Sequence, residues 1–318
     1  MADKKSCTAV IMAAGEGTRM RSALPKVLHK ANGKELVRWV ADAACEAMGT
    51  APIIIYGSGG QLVPDTIKGP FEYVRQERRL GSGDAVKAAK DAIVRAGSDF
   101  VLVLAGDMPL IRAGSIRRMI DEAEAGDYDL LMMTGIVGDP KGYGRIVRDE
   151  LGVEKIVEEK DADPETKKIK EVNLSVYCFK TQALLEALEQ LRPNNAAGEY
   201  YITDCLAIIR AMGGRCGAVI AADISECMGV NDRIQLAKVS EELRKRKNEE
   251  LMKSGVTLID PVNTYIDDSV TVGRDTVIYP GTILAGKTEI GENCVLVSCR
   301  LKDVSVKDGM TVTETIWE

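Results

Sequence analysis

The strongest constraint on the fold is a six-residue period near the end of the chain. An aliphatic residue recurs at Ile266, Val272, Ile278, Leu284, Ile290 and Leu296. Small residues lie four positions after each of the first five, at Val270, Thr276, Thr282, Thr288 and Cys294. Such a period is typical of a β-helix, whose coils bury aliphatic side chains against their neighbours. We predict a β-helix of about two to three coils; a plain β-meander is the alternative.

The chain ahead of this repeat has a different pattern, in which apolar runs alternate with helical segments through about residue 225. This alternation predicts an α/β layered sheet. The expected strands are Thr8–Ala13, Ile53–Tyr56, Phe71–Val74, Phe100–Leu104, Leu130–Ile136, Val172–Phe179 and Gly217–Ala221. The expected helices are Leu36–Met48, Asp84–Ala96, Ser115–Glu124 and Gln182–Leu191. A charged segment from Gly142 to Lys170 interrupts the alternation and predicts an inserted hairpin or lid.

Between the two patterns lies a strongly charged segment, Asn231–Ser254, whose apolar residues predict one exposed connecting helix that ends at Gly255. With 318 residues, the chain exceeds the roughly 250–300 residues at which single hydrophobic cores stop growing. We therefore predict a sheet domain over residues 1–230, a connecting helix over residues 231–255 and the β-helix over residues 256–318.

The composition limits the chemistry that the chain can perform. A net charge of −6 gives no broad electrostatic footprint for nucleic acid. No apolar run approaches the ~20 residues of a membrane helix and no secretion signal is visible, so we expect a cytoplasmic protein without a membrane partner. Eight scattered cysteines without a C-x-x-C pair fit reduced thiols. The single histidine, His29, excludes most Ser-His-Asp and multi-histidine metal sites, so a catalytic metal needs oxygen ligands, which suits Mg²⁺.

A glycine loop follows the first predicted strand, Thr8–Ala13. Gly15 and Gly17 would allow backbone N–H groups to approach phosphate oxygens, and Arg19 and Lys26 could neutralise a polyphosphate. Neither the G-x-G-x-x-G motif nor the P-loop motif is present, which argues against a dehydrogenase and a Walker-type ATPase. The loop predicts a phosphate site; a strand–turn–helix corner without a ligand is the alternative.

A second segment places one carboxylate at the end of a buried strand. The aliphatic run Phe100–Leu104 leads into Gly106 and Asp107. Open α/β sheets bind ligands at the carboxyl ends of their strands, which brings Asp107 towards the glycine loop. Few protein ligands are needed for a magnesium ion that clamps a triphosphate, because phosphate oxygens and water complete its octahedron. Asp107 is therefore a candidate magnesium ligand, although a lone Asp after a strand is often only a turn residue.

These residues belong to a longer series that resembles one enzyme family. The run Ala13–Met20, AAGEGTRM, followed by Leu24–Leu28, LPKVL, resembles the signature of sugar-phosphate nucleotidyltransferases. Further matches are Gln76 ahead of LGSG at 80–83, Gly106-Asp107, GYGR at 142–145, IVE at 156–158, EVN at 171–173, GEYYITD at 198–204 and GVN at 229–231. Together they resemble the bacterial N-acetylglucosamine-1-phosphate uridyltransferases. The resemblance implies a Rossmann-like nucleotidyltransferase domain with a connecting helix and a short left-handed parallel β-helix.

The resemblance also implies a role for individual residues. Nucleotide binding is implied for Ala13, Ala14, Gly15, Gln76, Gly81 and Ser82, and a catalytic role in holding the phosphates for Arg19 and Lys26. Magnesium coordination is implied for Asp107 and Asn231. Sugar binding is implied for Gly144, Glu158, Asn173, Tyr201 and Thr203. Solvated strand edges are the alternative for Glu158 and Asn173, and core packing is the alternative for Tyr201.

The implied reaction joins UTP and N-acetylglucosamine 1-phosphate into UDP-N-acetylglucosamine, a cell-wall precursor, and pyrophosphate. A sugar-phosphate oxygen attacks the α-phosphorus in line, with Mg²⁺ as cofactor. Because this oxygen is already anionic, no general base or covalent nucleophile is required. The resemblance further implies a homo-oligomer, a homotrimer formed through the β-helix.

Three sites depart from the family pattern. Ala105 stands where some members have tyrosine, Asp84 where histidine is frequent, and Leu174-Ser175 replaces Thr-Gly beside the expected sugar. The departures leave open a uridylyl- or thymidylyltransferase of the same fold that uses another sugar 1-phosphate, such as glucose 1-phosphate.

A non-enzymatic role, with the β-helix as a structural trimer, is a further alternative, although Lys26, Asp107 and Asn231 are all present. The sequence ends at Glu318, before the coils that carry the acetyltransferase site in bifunctional relatives, so we expect no acetyl transfer.

Overall fold

The computed structural model describes residues 6–57, 60–150, 152–195 and 197–317. The chain forms two compact units. The first contains the residues up to Leu28 together with Leu36–Asn231, and the second contains His29–Glu35 together with the residues from Asp232 onward. A short segment from the predicted sheet domain therefore packs with the connecting helix and the repeat.

The strands up to the connecting helix are β1 Cys7–Ala13, β2 Lys30–Ala31, β3 Lys34–Glu35, β4 Ile53–Gly57, β5 Glu72–Gln76, β6 Phe100–Ala105, β7 Leu130–Ile136, β8 Arg145–Asp149, β9 Gly152–Val157, β10 Glu171–Lys180 and β11 Cys216–Ile220. The helices are α1 Leu36–Met48, α2 Leu62–Thr66, α3 Ser82–Ala88, α4 Lys90–Ala96, α5 Ala113–Ala125, α6 Thr181–Gln190, α7 Cys205–Ala211 and α8 Arg233–Lys253. The α/β layered sheet predicted from the sequence is confirmed.

The first unit is built on one mixed sheet with the strand order β11-β7-β10-β6-β1-β4-β5. Strands β6, β1, β4 and β5 are parallel, so their carboxyl ends meet at one edge of the sheet. Strand β10 is antiparallel to β6, and its first residues therefore lie at the same edge. This edge collects Ala13, Gln76, Ala105 and Asn173, which is where ligands bind in open α/β sheets.

Alternate residues of the strands face opposite sides of this sheet. Ile11 packs with the buried residues of α1 and α5, whereas Val10 packs with those of α3, α4, α6 and α7. Both side chains are fully buried. The strands that carry the site at their ends are thus fixed by a hydrophobic layer on each face.

Two segments of the first unit show more detail than the sequence predicts. The helix predicted over Asp84–Ala96 is two helices that meet at Ala89, where the backbone N–H of Ala89 bonds to Val86 O and ψ is 4°. The buried residues keep helical spacing across the break, so the sequence pattern does not show it. The predicted insertion is an antiparallel hairpin of β8 and β9, which joins the sheet where Arg145 pairs with Val172.

The second unit contains α8 and the short left-handed parallel β-helix. Its strands are β12 Thr257–Leu258, β13 Tyr265–Ile266, β14 Thr271–Val272, β15 Val277–Ile278, β16 Ile283–Ala285, β17 Glu289–Ile290, β18 Val295–Val297, β19 Arg300–Lys302, β20 Ser305–Val306, β21 Thr311–Thr313 and β22 Ile316–Trp317. They form three parallel sheets, β12-β15-β18-β21, β13-β16-β19-β22 and β14-β17-β20. The small residues of the repeat, from Val270 to Cys294, are all 0% exposed. The hexapeptide prediction is confirmed.

The β-helix continues beyond the regular part of the repeat. After Leu296 the next buried aliphatic residues are Leu301, Val306 and Val312, so the spacing becomes five, five and then six residues. Ser298, at the start of this irregular part, has a φ of 46°. Each of the three sheets contains three or four strands. The β-helix therefore has more coils than the two to three that the six-residue period predicts.

Hydrogen bonds join helix α8 to the β-helix within the second unit. Its side chain Asn248 donates to the backbone carbonyls of Pro261, at 2.8 Å, and Thr264, at 3.1 Å. Asp232 caps its amino end by accepting from Gln235 N at 2.8 Å. Among the described residues, no helix combines the length and the apolar character needed to cross a membrane.

Candidate active site

The loop after β1 brings a cation to the edge of the sheet. Gly15 is exposed, whereas Gly17 adopts a φ of 62° and precedes a 3-10 turn, Thr18–Met20. A Cβ at Gly17 would collide with the side chain of Lys26, so glycine is required both for the backbone angle and for the approach of this lysine. Arg19 lies in the 3-10 turn with an exposed side chain.

Lys26 contacts both predicted metal ligands. Its ammonium forms an ion pair with Asp107 and lies 3.1 Å from Asn231 Oδ1. The side chains of Lys26 and Asp107 are only 13% and 17% exposed. The backbone holds the two segments together, because Val230 N donates to Asp107 O at 2.9 Å. The structure therefore brings together three residues that are far apart in the sequence.

This arrangement fits a divalent cation. A carboxylate and an amide oxygen already share one cation, the ammonium of Lys26, and both are oxygen ligands that Mg²⁺ accepts. Within the described ranges, no group of three or more His, Cys, Asp or Glu residues forms a metal cage. Asp107 and Asn231 would hold the cation, and substrate oxygens and water would supply its other ligands.

The end of β5 is a second part of the site. Gln76 is 3% exposed, and its Nε2 donates to Asp84 Oδ2 at 2.7 Å and to Gly81 O at 3.2 Å. Gly81 has a φ of 113°, and a Cβ there would meet the backbone of Tyr200. Ser82 Oγ accepts from Ile202 N at 3.0 Å. The LGSG segment therefore docks closely against the GEYYITD segment.

These parts line one cavity of about 510 Å³ at the carboxyl edge of the sheet. Its lining residues are Met12, Ala14, Gly15, Glu16, Lys26, Val27, Gln76, Arg79, Gly81, Ser82, Ala85, Ala105, Asp107 and Glu199. Ala13 is the last residue of β1, directly before this lining. A larger cavity, about 690 Å³, is lined by residues at the opposite edge, such as Cys7 and Ile53, where open α/β sheets do not bind ligands.

The residues predicted to bind sugar form a group of their own around Glu158. Thr203 Oγ1 donates to Glu158 Oε1 at 3.4 Å, and a Cβ on Gly144 would lie 3.4 Å from both carboxylate oxygens. Burial raises the pKa of Glu158, and the negative charges of Asp161 and Asp204 add to this effect. A partly buried carboxylate of this kind is suited to accept hydrogen bonds from ligand hydroxyls.

Asn173 joins the same group from β10. Its backbone N–H donates to Gly144 O at 2.8 Å, and its Nδ2 donates to the buried hydroxyl of Tyr177 at 2.6 Å. Tyr201 precedes the 3-10 turn that carries Thr203 and is half-buried. Burial raises the pKa of Tyr201, and the negative charge of Glu199 contributes. Asn173 is 6% exposed and Glu158 is half-buried, so neither is a solvated edge residue, whereas Tyr201 is not fully buried in the core.

Comparisons with known proteins agree with this geometry. The family model described as MobA-like NTP transferase domain matches residues 9–201. The protein named Bifunctional protein GlmU of Caldanaerobacter subterraneus subsp. tengcongensis is 45% identical over 309 residues, which cover 96% of this chain and 67% of that protein. The protein of the same name from Clostridioides difficile is 42% identical over 306 residues, which cover 96% of this chain and 66% of that protein. The chain belongs to the GlmU family.

A comparison with solved structures finds the same fold in a protein of low sequence identity. A solved structure described as a glucose-1-phosphate thymidylyltransferase from Bacillus anthracis, in complex with sucrose, has a TM-score of 0.59 and 18% identity, and covers 74% of this chain and 94% of that chain. At this identity the likeness shows the fold alone. The chain spans about two thirds of the length of the GlmU relatives it matches.

Membership of the GlmU family establishes the class of enzyme, a sugar-1-phosphate nucleotidyltransferase. The family acts on nucleoside triphosphates and sugar phosphates, and typically uses a divalent metal.

The residues that depart from the GlmU family pattern lie in three different parts of the structure. Ala105 lines the cavity, where its small side chain leaves space. Asp84 bonds to Gln76. Leu174 is 2% exposed and packs in the core, and Ser175 adopts a φ of 56°, a conformation that favours glycine. The replacement at Leu174 therefore changes core packing rather than the group around Glu158.

Three charged residues of the cavity, Glu16, Arg79 and Glu199, have no role among those predicted from the sequence. Arg79 and Glu16 both line it and form an ion pair with each other. Their charges lie in the two loops that the resemblance singled out for their glycines, so the signal was available in the segments GEG at 15–17 and RRLGSG at 78–83. Arg79 is a second cation in the described lining of the cavity, beside Lys26.

Proposed function

We propose that the chain transfers the uridylyl group of UTP to N-acetylglucosamine 1-phosphate, giving UDP-N-acetylglucosamine and pyrophosphate. The observation that carries this proposal is the contact of Lys26 with both Asp107 and Asn231 at a cavity that also contains Gln76. A pair of oxygen ligands for a cation, a positively charged side chain and a cavity that contains a buried amide are the parts that this reaction needs. The similarity to GlmU proteins supports the choice of substrates.

Catalysis by this site consists of positioning and charge neutralisation. The attacking sugar-phosphate oxygen carries a full charge, so the site need not remove a proton. Lys26 would bind the triphosphate and stabilise the charge that develops on it, and Arg19 would bind phosphate from the exposed 3-10 turn. The glycine loop at Gly15 would present backbone N–H groups to the phosphates.

We propose Mg²⁺ as the divalent cation, held by Asp107 and Asn231. When bound, it cancels phosphate charge and orients the two substrates towards each other. Both ligands are hard oxygen donors, which favours Mg²⁺ over zinc.

The sugar would bind to the group around Glu158. Its carboxylate and the Thr203 hydroxyl offer an acceptor and a donor to sugar hydroxyls, and Asn173 is held rigid by Tyr177. Because Leu174 is buried in the core, its replacement gives no reason to assign a different sugar. The test is a panel of N-acetylglucosamine, glucosamine and glucose 1-phosphates with UTP. Preference for N-acetylglucosamine 1-phosphate is expected; preference for glucose 1-phosphate would replace this proposal by its alternative.

Glu158→Gln should weaken use of the sugar phosphate and stabilise the fold. We expect kcat/KM for the sugar phosphate to fall about 10- to 100-fold, because hydrogen bonds to a charged acceptor contribute about 1.5–3 kcal/mol. A folded-state pKa above the usual value means that the ionised carboxyl destabilises the folded protein at neutral pH. The variant should therefore have a larger free energy of unfolding than the wild type at pH 7, and this difference should shrink as the pH falls through the raised pKa.

Steady-state kinetics and urea unfolding at pH 7 and pH 4 measure both effects. Glu150→Gln, an exposed position at the tip of the same hairpin, is the matched control and should change neither. Unchanged kinetics in Glu158→Gln would remove this residue from the sugar site.

We propose that the β-helix mediates self-association into a homotrimer. Tyr265, Ile283, Arg300 and Ile316 are in register on one sheet of the β-helix. The three apolar members are 48%, 39% and 71% exposed, which is unusual for side chains of this size. Three exposed apolar side chains on one face, with Arg300 between Ile283 and Ile316, support contact with other copies of the same surface.

Ile283→Glu should dissociate such an oligomer, because it replaces one of the three apolar side chains of this face by a charged one. Sedimentation velocity should show trimers for the wild type and monomers for the variant. Thr271→Glu, on the exposed side of a different sheet, is the matched control and should remain trimeric. Monomeric wild-type protein would contradict the proposal.

A further inference from the structure

The amide of Gln76 can adopt only one orientation in this structure. Both groups that it meets on one side, Asp84 Oδ2 at 2.7 Å and the carbonyl oxygen of Gly81 at 3.2 Å, can only accept hydrogen bonds. The amide must therefore turn Nε2 towards them. A flipped amide would place Oε1 against a carboxylate and a carbonyl at the same time, which is electrostatically unfavourable in a site that is 3% exposed.

This orientation leaves Oε1 of Gln76 for a ligand. No side chain in the described part of the chain donates to Oε1, and Gln76 lines the 510 Å³ cavity. An acceptor at this place matches a base that presents an N–H on its pairing edge, as the N3–H of uracil does. Cytosine presents an unprotonated N3 there, so two acceptors would face each other.

We propose that Asp84 is a positioning residue that sets base selectivity by fixing the orientation of the Gln76 amide. The inference rests on the proposed function in one respect, the assignment of this cavity to a nucleoside triphosphate. Asp84 does not line the cavity and acts only through Gln76. It stands in the first turn of α3, whose start is docked against Tyr200 by the bond from Gly83 N to Tyr200 O at 2.8 Å. The carboxylate is therefore held on a rigid element, behind the residue it orients.

Asp84→Asn tests the orientation of the Gln76 amide without changing the size of the side chain at position 84. The new side chain has the same size, but its amide can either accept from or donate to Gln76, so only the longer contact with Gly81 O still favours the wild-type orientation of the Gln76 amide. Asp84→Leu removes the hydrogen bond and leaves only the longer contact with Gly81 O. A site that hydrogen-bonds a base edge rejects a mismatched base by leaving polar groups unpaired, and this rejection depends on a fixed donor and acceptor pattern.

The experiment measures binding of UTP and of CTP by calorimetry, with Mg²⁺ present and without sugar phosphate, for the wild type and both variants. The wild type should favour UTP over CTP, and the preference should fall at least about tenfold in Asp84→Asn and Asp84→Leu. Asp91→Asn, an acidic position in the first turn of α4, is the matched control and should keep the wild-type preference. Asp84→Asn is nearly isosteric, so it carries the test if Asp84→Leu fails to fold.

Two results would overturn the proposal: equal binding of UTP and CTP by the wild type, or an undiminished preference in folded Asp84→Asn and Asp84→Leu. Failure of the proposed function is distinguishable, because it appears as absent pyrophosphate release by a wild type that still binds UTP selectively. The KM for sugar phosphate gives a second readout. It should be the same in wild type and Asp84→Asn, whereas a merely structural role of Asp84 would raise it together with the KM for UTP.

Discussion

Asp107→Asn is expected to reduce kcat/KM by at least about a thousandfold, which corresponds to about 4 kcal/mol of lost transition-state stabilisation. The substitution removes the only anionic ligand among the two residues that would hold the cation. It keeps the size of the side chain and an oxygen that can accept from Lys26, so the fold should persist. Pyrophosphate release measures the loss, and thermal unfolding checks that the variant is folded.

The matched control for this substitution is Asp91→Asn, which removes one negative charge from a surface position of α4. It should retain wild-type turnover. Raising the Mg²⁺ concentration should recover part of the activity of Asp107→Asn, because the remaining ligand, Asn231, still offers an oxygen. Turnover by Asp107→Asn within a fewfold of the wild type would show that the metal is held elsewhere.

Lys26→Ala is the second substitution with a large expected effect. We expect a loss of about a thousandfold or more in kcat that no substrate concentration restores, because the charge acts on the transition state. Lys26→Arg should restore only part of the activity, since a planar guanidinium does not replace a compact ammonium in contact with two oxygens. Lys245→Ala, on the exposed face of α8, is the matched control.

The contacts of Lys26 give a test that does not depend on turnover. Its ammonium contacts Asp107 and Asn231 directly, so it would compete with a metal for these two residues. Lys26→Ala should therefore bind Mn²⁺ at least as tightly as the wild type in the absence of nucleotide, as measured by electron paramagnetic resonance. Weaker Mn²⁺ binding in a folded Lys26→Ala variant would contradict the assignment of Asp107 and Asn231 as the ligands.

Several features of the fold could be predicted because they depend on local patterns. The boundaries of Leu36–Met48 and Leu130–Ile136 agree with the sequence prediction, since a single amphipathic stripe and a single apolar run define them. The six-residue period defined the β-helix for the same reason. The rule that open α/β sheets bind ligands at the carboxyl ends of their strands predicts the glycine loop and Asp107 at one edge, which is where both lie.

Other features depend on contacts between distant parts of the chain. The bond of Gln76 to Asp84 requires the turn at Gly81, and the ion pair of Arg79 with Glu16 joins two loops. The burial of Leu174 could not be predicted by alternation, because the pairing of β10 with β7 is irregular between Asn173 and Tyr177. Irregular backbone of this kind breaks the period of two on which the assignment of strand faces depends.

The most direct test of the central claim is release of pyrophosphate from UTP by the purified chain with N-acetylglucosamine 1-phosphate, with and without Mg²⁺. Each substrate alone provides the background. The proposed function predicts stoichiometric UDP-N-acetylglucosamine and pyrophosphate in the presence of Mg²⁺ and loss of both products when the metal is chelated. No product with this pair of substrates, in a folded protein that binds UTP, would contradict it.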